Sequence, residues 1–427
     1  MSILIQNGTA LLPSGSSPNT SIAIEGSNIT KIGSDIDPSG FDTVIDARNQ
    51  LIMPGLVNAH THLAMVLFRG YADDMALQPW LEEMIWPAEA KLTPEQIYWA
   101  SLWGAVECIR GGVTAFCDMY IHMDEVGKAI DKAGLRALLT YGMIAFEPNE
   151  KMEKEFAISM ELIENWHGKA DGRIQTAIAP HAQYTCCDPV WERAIDIAKE
   201  RGLLLNTHLS ETRKEVDVCI KDSGKSPVKY LNDLGVFEVP TLAAHCVHVN
   251  EEDISILAER KVRVSHNPGS NLKLGSGIAP LPEMLEAGVT VGLGTDGTAS
   301  NNNLNMFEEL HMAAMIHKGT HEDPLAVPAK QAFDVATAGG YQAIGVDNGG
   351  VLKEGALADV ILVDLEAAHL EPVYQPLSAL VYSAQAADVR TTIVNGQVLM
   401  KDRKLLTLDE QEIRTKINEI AQDYRRS

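Results

Sequence analysis

Three observations predict an α/β chain: a (β/α)8 barrel of the TIM type with a small β-sandwich domain built from both termini. The middle of the 427-residue chain alternates short, β-branched apolar runs with amphipathic helical stretches, the signature of βαβ units and parallel strands. Roughly eight such runs can be counted, the number that closes a barrel. Short strand-like segments punctuated by Gly and Asn bracket this region at both ends.

At the N-terminus, residues 3–5, 21–24 and 43–46 read as strands, so residues 1–53 form the first part of the predicted sandwich. The barrel is expected over residues 54–350, with strands ending at His62, Asp118, Met143, His181, His208, His245, His266 and Asp296. Barrels of this kind carry their chemistry at the carboxyl ends of the strands, and most of these runs end in His or Asp, which packing alone does not require. Residues 351–427 return to the β pattern. Residues 358–364 and 389–399 read as strands, the latter with an Asn395-Gly396 turn signal, and residues 409–426 form a charged surface helix.

The bulk composition narrows the function. Apolar residues at 45% and charged residues at 22% describe an ordinary soluble globular protein. A net charge of -23 repels phosphate backbones and anionic lipid, so neither nucleic acid nor a membrane surface is an expected partner. A neutral or cationic small molecule is compatible with that field. The six cysteines (Cys108, Cys117, Cys186, Cys187, Cys219 and Cys246) include no Cys-x-x-Cys pair and read as free thiols of a reducing compartment. No secretory signal or bilayer-spanning run is visible, and a cytoplasmic location is expected.

The most informative segment is residues 51–62, an apolar, β-branched run that ends in His60-Thr61-His62. Alternate side chains of a strand share a face, so both imidazoles project together and make half of a zinc site. His208 and His245 also follow apolar strands, and Asp296 closes the run from Val289. Each taken singly has an ordinary explanation, a hydrogen-bonded histidine or a turn aspartate. Together and in this order they suit a borderline-soft divalent ion, zinc above all, with a position left for water.

Further motifs extend the pattern: Trp86-Pro87-Ala88-Glu89, Pro180-His181-Ala182, His208-Leu209-Ser210-Glu211-Thr212, and Ala243-Ala244-His245-Cys246-Val247-His248. Downstream stand Ser265-His266-Asn267-Pro268-Gly269-Ser270-Asn271-Leu272-Lys273-Leu274-Gly275 and Gly294-Thr295-Asp296-Gly297. With these, the chain resembles the amidohydrolase superfamily over essentially its whole length, and within it the 5-methylthioadenosine/S-adenosylhomocysteine deaminases. The resemblance implies that His60, His62, His208 and Asp296 hold the metal, that His245 lies beside it and orients the bound water, and that Glu89 and His181 contact substrate. Dinuclear relatives carry a carboxylated lysine at the end of the fourth strand. Pro180-His181-Ala182 stands there instead, which implies one ion per subunit: zinc, or iron or manganese in the same site.

The implied reaction is hydrolytic deamination of the adenine ring of 5-methylthioadenosine, S-adenosylhomocysteine or adenosine, giving the inosine derivative and ammonia. Zinc lowers the pKa of its water from about 15.7 to about 7. Asp296 can take the water's proton, Glu211 can protonate N1 and shuttle that proton, and His245 can stabilise the charge that develops. Trp80 and Trp86 are candidates to wall in a flat base, or core aromatics. His248 and His266 read as supporting or structural histidines, and residues 271–275 as a loop at the barrel mouth. The same architecture could instead serve an s-triazine, guanine or cytosine, and a non-catalytic barrel would have lost ligands that this chain retains. Some relatives bind the homocysteine carboxylate with an arginine after the third strand. Between Arg136 and Arg173 this chain has none, only lysines such as Lys151, Lys154 and Lys169. A homo-oligomer is compatible with all of this.

Overall fold

The computed structural model describes residues 2–424. Five strands open the chain: β1 (Ser2–Leu12), β2 (Gly15–Glu25), β3 (Asn28–Gly33), β4 (Thr43–Asp46) and β5 (Gln50–Pro54). Eight follow in the middle: β6 (Leu56–Thr61), β7 (Val113–Tyr120), β8 (Arg136–Tyr141), β9 (Ile174–Ala177), β10 (Leu205–Leu209), β11 (Thr241–His245), β12 (Arg263–His266) and β13 (Thr290–Leu293). The last four are β14 (Val360–Asp364), β15 (Val389–Val394), β16 (Gln397–Lys401) and β17 (Lys404–Leu405).

Both termini build one nine-stranded mixed sheet in the order β17-β16-β15-β14-β5-β1-β2-β3, with β4 paired to β1. The seam between the two ends of the chain is the antiparallel β5–β14 pair, in which Ile52 faces Leu362. Strand alternation sends Ile3, Ile5, Ile22, Ile24, Ile52, Val360 and Leu362 into a core belonging to this sheet alone, while Leu51, Met53, Ile361 and Val363 join the main core. The expected Asn-Gly turn joins β15 to β16: Asn395 (φ 52°) and Gly396 (φ 71°) are both left-handed, as a two-residue hairpin turn requires.

The eight middle strands are parallel and buried, and form two four-stranded sheets, β6-β7-β8-β9 and β10-β11-β12-β13. A bridge between Ile178 and Leu205 connects one sheet to the next. At the opposite edges the Asp296 N–H donates to the His60 carbonyl at 2.9 Å, and the Thr295 N–H to Asn58 Oδ1 at 3.0 Å. Helices stand between successive strands, and small inward residues such as Ala59, Ala115, Cys117 and Ala177 pack together between them.

Several boundaries differ from the expected ones. β9 stops at Ala177, four residues before His181, and Pro180 between them has no N–H to give a ladder. Single bridges, Met143 to Pro180 and Ala182 to His208, carry the segment onward. β13 stops at Leu293 and β7 runs two residues past Asp118. The terminal helix spans Glu410–Ile420, capped by Asp409, and passes into a 3-10 turn at Ala421–Tyr424. Arg425 and Arg426 of the expected helix lie outside the described residues. The six cysteines are free, five of them buried, and no helix among the described residues is long and apolar enough to cross a membrane.

A buried polar knot fastens the terminal sheet to the parallel strands. Arg136, at the start of β8, donates from Nε to Asp359 Oδ2 at 2.8 Å and from Nη2 to Oδ1 at 3.3 Å. Tyr341 Oη donates to the same carboxylate at 2.7 Å, and the Asn395 N–H at 2.6 Å.

Candidate active site

The strand ends bring the predicted histidines and Asp296 into one cluster. His60 sits near the end of β6 and His62 directly after it, 4.9 Å apart between ring centroids and nearly perpendicular. The His208 ring from β10 lies 4.8 Å from His60, and the His245 ring from β11 lies 5.5 Å from it. Asp296 reaches in after β13, with Oδ1 3.4 Å from His60 Nε2 and 3.1 Å from His62 Nε2. Two sets of donor atoms each lie within 4.8 Å of one another: His60, His62 and His208, and His60, His245 and Asp296. His245 (φ 77°) and Asp296 (φ 60°) are left-handed, as are Ser210 and Cys246 beside them. Such conformations are costly for non-glycine residues and persist where the surroundings over-determine them.

Hydrogen bonds fix the tautomers. His62 Nδ1 lies against the Met119 carbonyl, and His208 Nδ1 is 2.7 Å from the His181 carbonyl. A carbonyl only accepts, so both rings carry a proton on Nδ1 and turn Nε2 toward the cluster, bare in the neutral His208 ring. His245 Nδ1 is 2.8 Å from Asn271 Oδ1. Asp296 Oδ2 accepts two hydroxyls, from Ser270 and Ser300, each at 2.7 Å. Its Oδ1 and both ring nitrogens of His60 are buried without a hydrogen-bond partner.

Burial sets the protonation states. It pushes His60 down to about 4, and with the surrounding imidazoles it pushes His208 well below its ordinary value, so both are neutral. For His62 the neighbouring Asp296 outweighs burial and raises the ring to about 9. Burial would raise Asp296, but the neighbouring His60 and His62 rings hold it well below the carboxylate range. Burial lifts Glu211 to about 7, and its Oε2 lies 3.7 Å from His245 Nε2. The loop that carries Glu211 is itself held: Glu215 accepts the Ser210 and Glu211 N–H groups at 3.0 and 2.8 Å.

A cavity opens over this cluster. His62, His181, His208, Glu211, His245 and Asp296 line its floor, and Glu89 faces it from the side. Glu89 ends a helical segment whose middle, Trp80–Ile85, is a π-helix, and both Trp80 and Trp86 line the cavity. Burial raises Glu89 to about 6, an effect the Tyr120 hydroxyl partly offsets. His181 stands 4.6 Å from His208 between ring centroids, its Nδ1 3.1 Å from Thr185 Oγ1.

His248 and His266 stay outside. His248 Nε2 pairs with the Ser276 carbonyl at 2.6 Å, and His266 is buried beside His317. Among the described residues neither the lysines after β8 nor any other Lys or Arg lines the cavity; the remaining wall is Met65, Leu77, Leu81, Met119, Ile121, Gly142 and Ile144, with Tyr120 and Tyr184. Sequence reasoning passed over Tyr120, although it shares strand parity with Asp118. It also missed the clamping pair Ser270 and Ser300, for which no spacing rule exists.

The model of the amidohydrolase family matches residues 51–399, and the chain belongs to that family. A 5-methylthioadenosine/S-adenosylhomocysteine deaminase of Dictyoglomus turgidum is 48% identical over 413 residues, covering 97% of this chain and 96% of the relative. A 5'-deoxyadenosine deaminase of Methanothermobacter thermautotrophicus is 44% identical over 412 residues, covering 96% of each. Among solved structures, an adenosine deaminase from Xanthomonas campestris with bound zinc superposes with a TM-score of 0.94 at 32% identity, covering 99% of this chain and 98% of that one.

Proposed function

We propose that this protein is a metal-dependent hydrolase that deaminates the adenine ring of 5-methylthioadenosine, S-adenosylhomocysteine and adenosine to the inosine derivatives, releasing ammonia. The observation that carries this reading is the meeting, on the floor of one cavity, of four neutral or carboxylate-paired histidines, Asp296 and a raised-pKa Glu211. Similarity to deaminases named for these substrates supports it across nearly the full chain.

The donor set fits one divalent ion, zinc first, with iron or manganese as alternatives. His60 and Asp296 Oδ1 are buried without hydrogen-bond partners, and the Nε2 atoms of His62 and His208, turned into the cluster, complete three nitrogens and one oxygen. In this reading His60, His62, His208 and Asp296 hold the ion, which when bound supplies a water that ionises near neutral pH. Asp296 would take up a proton from the attacking water, its Oδ2 steadied by Ser270 and Ser300. Glu211 is the general acid that gives its proton to N1, where it stays in the product; the proton held by Asp296 goes to the leaving amine, and Glu211 recovers a proton from the ring hydroxyl as the carbonyl forms. His245, fixed by Asn271, stabilises the oxygen that adds to the ring. Glu89 accepts from the ribose hydroxyls, His181 contacts the nucleoside, and Trp80 and Trp86 wall the base.

The same reading closes the eight parallel strands into a (β/α)8 barrel over residues 54–350. It folds the terminal sheet (1–53 and 351–427) into a β-sandwich and places the enzyme in the cytoplasm, without nucleic-acid or membrane partners and free to form a homo-oligomer.

The test is an ultraviolet assay of purified, metal-analysed protein on 5-methylthioadenosine, S-adenosylhomocysteine, adenosine, guanine, cytosine and a chloro-s-triazine. Turnover of adenosine derivatives that disappears on chelation and returns with zinc supports the reading. Turnover of another ring alone replaces the substrate, and full activity in chelated protein removes the metal.

A further inference from the structure

A buried carboxylate outside the cavity connects to both halves of the chemistry. Glu309, on the helix Met306–His321, is fully buried. Its Oε2 accepts the Gly269 N–H at 2.9 Å, and its Oε1 accepts the Asn301 side-chain amide at 2.7 Å. The same Asn301 amide donates to the Thr295 carbonyl at 2.7 Å, next to Asp296. One carboxylate thus ties together the turn after β12, the turn after β13 and the chain entering Asp296.

What those turns carry gives the tie its meaning. The turn Pro268–Lys273 bears Ser270, which donates to Asp296 Oδ2, and Asn271, which holds His245 Nδ1. The turn Thr298–Asn301 bears Ser300, the second donor to Asp296 Oδ2. The fit is close: a Cβ added at Gly269 would lie 2.4 Å from Glu309 Oε1 and 2.6 Å from Asn301 Nδ2. A carboxylate buried in this way costs free energy unless its bonds are required, and both of its bonds go to these two turns.

We infer that Glu309 is a positioning residue that sets Asp296 and His245 jointly, by clamping the two turns whose Ser270, Ser300 and Asn271 orient them. The inference rests on the reading of Asp296 as a metal ligand and of His245 as its neighbour. A glutamine at this position can accept from only one of the two donors and would turn its own NH2 toward the other, so one turn is released.

The experiment compares wild-type protein with Glu309→Gln and Gly269→Ala, the latter displacing the carboxylate without altering it. Zinc affinity is measured by chelator competition, and kcat and KM for 5-methylthioadenosine are measured per zinc-loaded site. Zinc affinity is expected to fall roughly ten- to a hundredfold in Glu309→Gln, as for other outer partners of metal ligands. At saturating zinc, kcat falls while KM stays near wild type, a split that a smaller folded fraction would not produce. Should Glu309→Gln fail to fold, Gly269→Ala carries the test, with the same direction expected. A folded variant with wild-type zinc affinity and wild-type kcat overturns the inference. Wild-type protein that takes up no zinc overturns the metal reading first and the positioning role with it.

Discussion

Replacing Asp359 with alanine should destabilise the protein strongly without touching the cavity. The carboxylate is completely buried and accepts four hydrogen bonds, from Arg136 Nε and Nη2, Tyr341 Oη and the Asn395 N–H. Removing one partner of a buried pair leaves an uncompensated charge, here Arg136 with a side chain only 7% exposed, at a cost of about 3–5 kcal/mol. Tyr341 keeps a second partner in Thr114 Oγ1 at 2.9 Å, but the Asn395 N–H loses its acceptor at the hairpin turn. That orphaned donor adds about 1 kcal/mol or more. With an unfolding entropy of about 2.1 cal/mol/K per residue over the chain, about 4–6 kcal/mol corresponds to a fall in Tm of roughly 5 °C. Scanning calorimetry of Asp359→Ala measures it, and Asp359→Ala/Arg136→Met gives the control. Removing both charges together should recover most of the loss, because the pair's net worth is small once neither ion is stranded. A single variant that melts with wild type, or a double variant as unstable as the single, would refute the reasoning.

Three further outcomes are expected. Glu211→Gln keeps its loop, because Glu215 holds the backbone and not the side chain; kcat should drop by about 10²–10⁴ with zinc content unchanged, and retention of more than a tenth of the activity would remove Glu211 as the acid. Above its floor the cavity wall is largely apolar and carries no Lys or Arg among the described residues, so 5-methylthioadenosine and 5'-deoxyadenosine should exceed S-adenosylhomocysteine in kcat/KM by about tenfold or more, an order that equal steady-state constants would contradict. Burial raises Glu309 from 4.5 to about 7, so the folded state binds its proton more tightly than the unfolded chain does. Its stabilising contribution is complete below about 4.5 and is lost as pH rises through about 7; the stability of wild type relative to Glu309→Gln should decline over that window by up to about 3 kcal/mol. Denaturant titrations of both proteins at several pH values would show it, and a constant difference would rule out the raised pKa.

How much of the site can be read from a sequence depends on whether a side chain's place follows from backbone period. His60 and His62 were legible because a strand alternates faces, and two imidazoles at the end of an apolar run have few other uses. His208, His245 and Asp296 were legible as endings of similar runs, although Asp296 stands three residues past the last ladder bond of β13 in a left-handed conformation that no propensity foretells. The terminal sheet was legible from its two β-rich ends and its Asn-Gly turn, but not its pairing order, which long-range contacts decide. Beyond that the period fails. Glu89 faces the cavity from the end of a helix whose Trp80–Ile85 stretch is π-wound, and a 3.6-residue count would misjudge its direction. Ser270, Ser300, Asn271 and Glu309 look like unremarkable loop and helix residues, because each acts on a partner 4 to 40 residues away, outside its own helix or strand. Strand ends supply the clustered histidines and Asp296, and the turns after them supply the hydrogen bonds that hold those groups still. The first set is written in local pattern; the second exists only once the turns have met, so such residues have to be found by tracing where each buried polar atom sends its bonds.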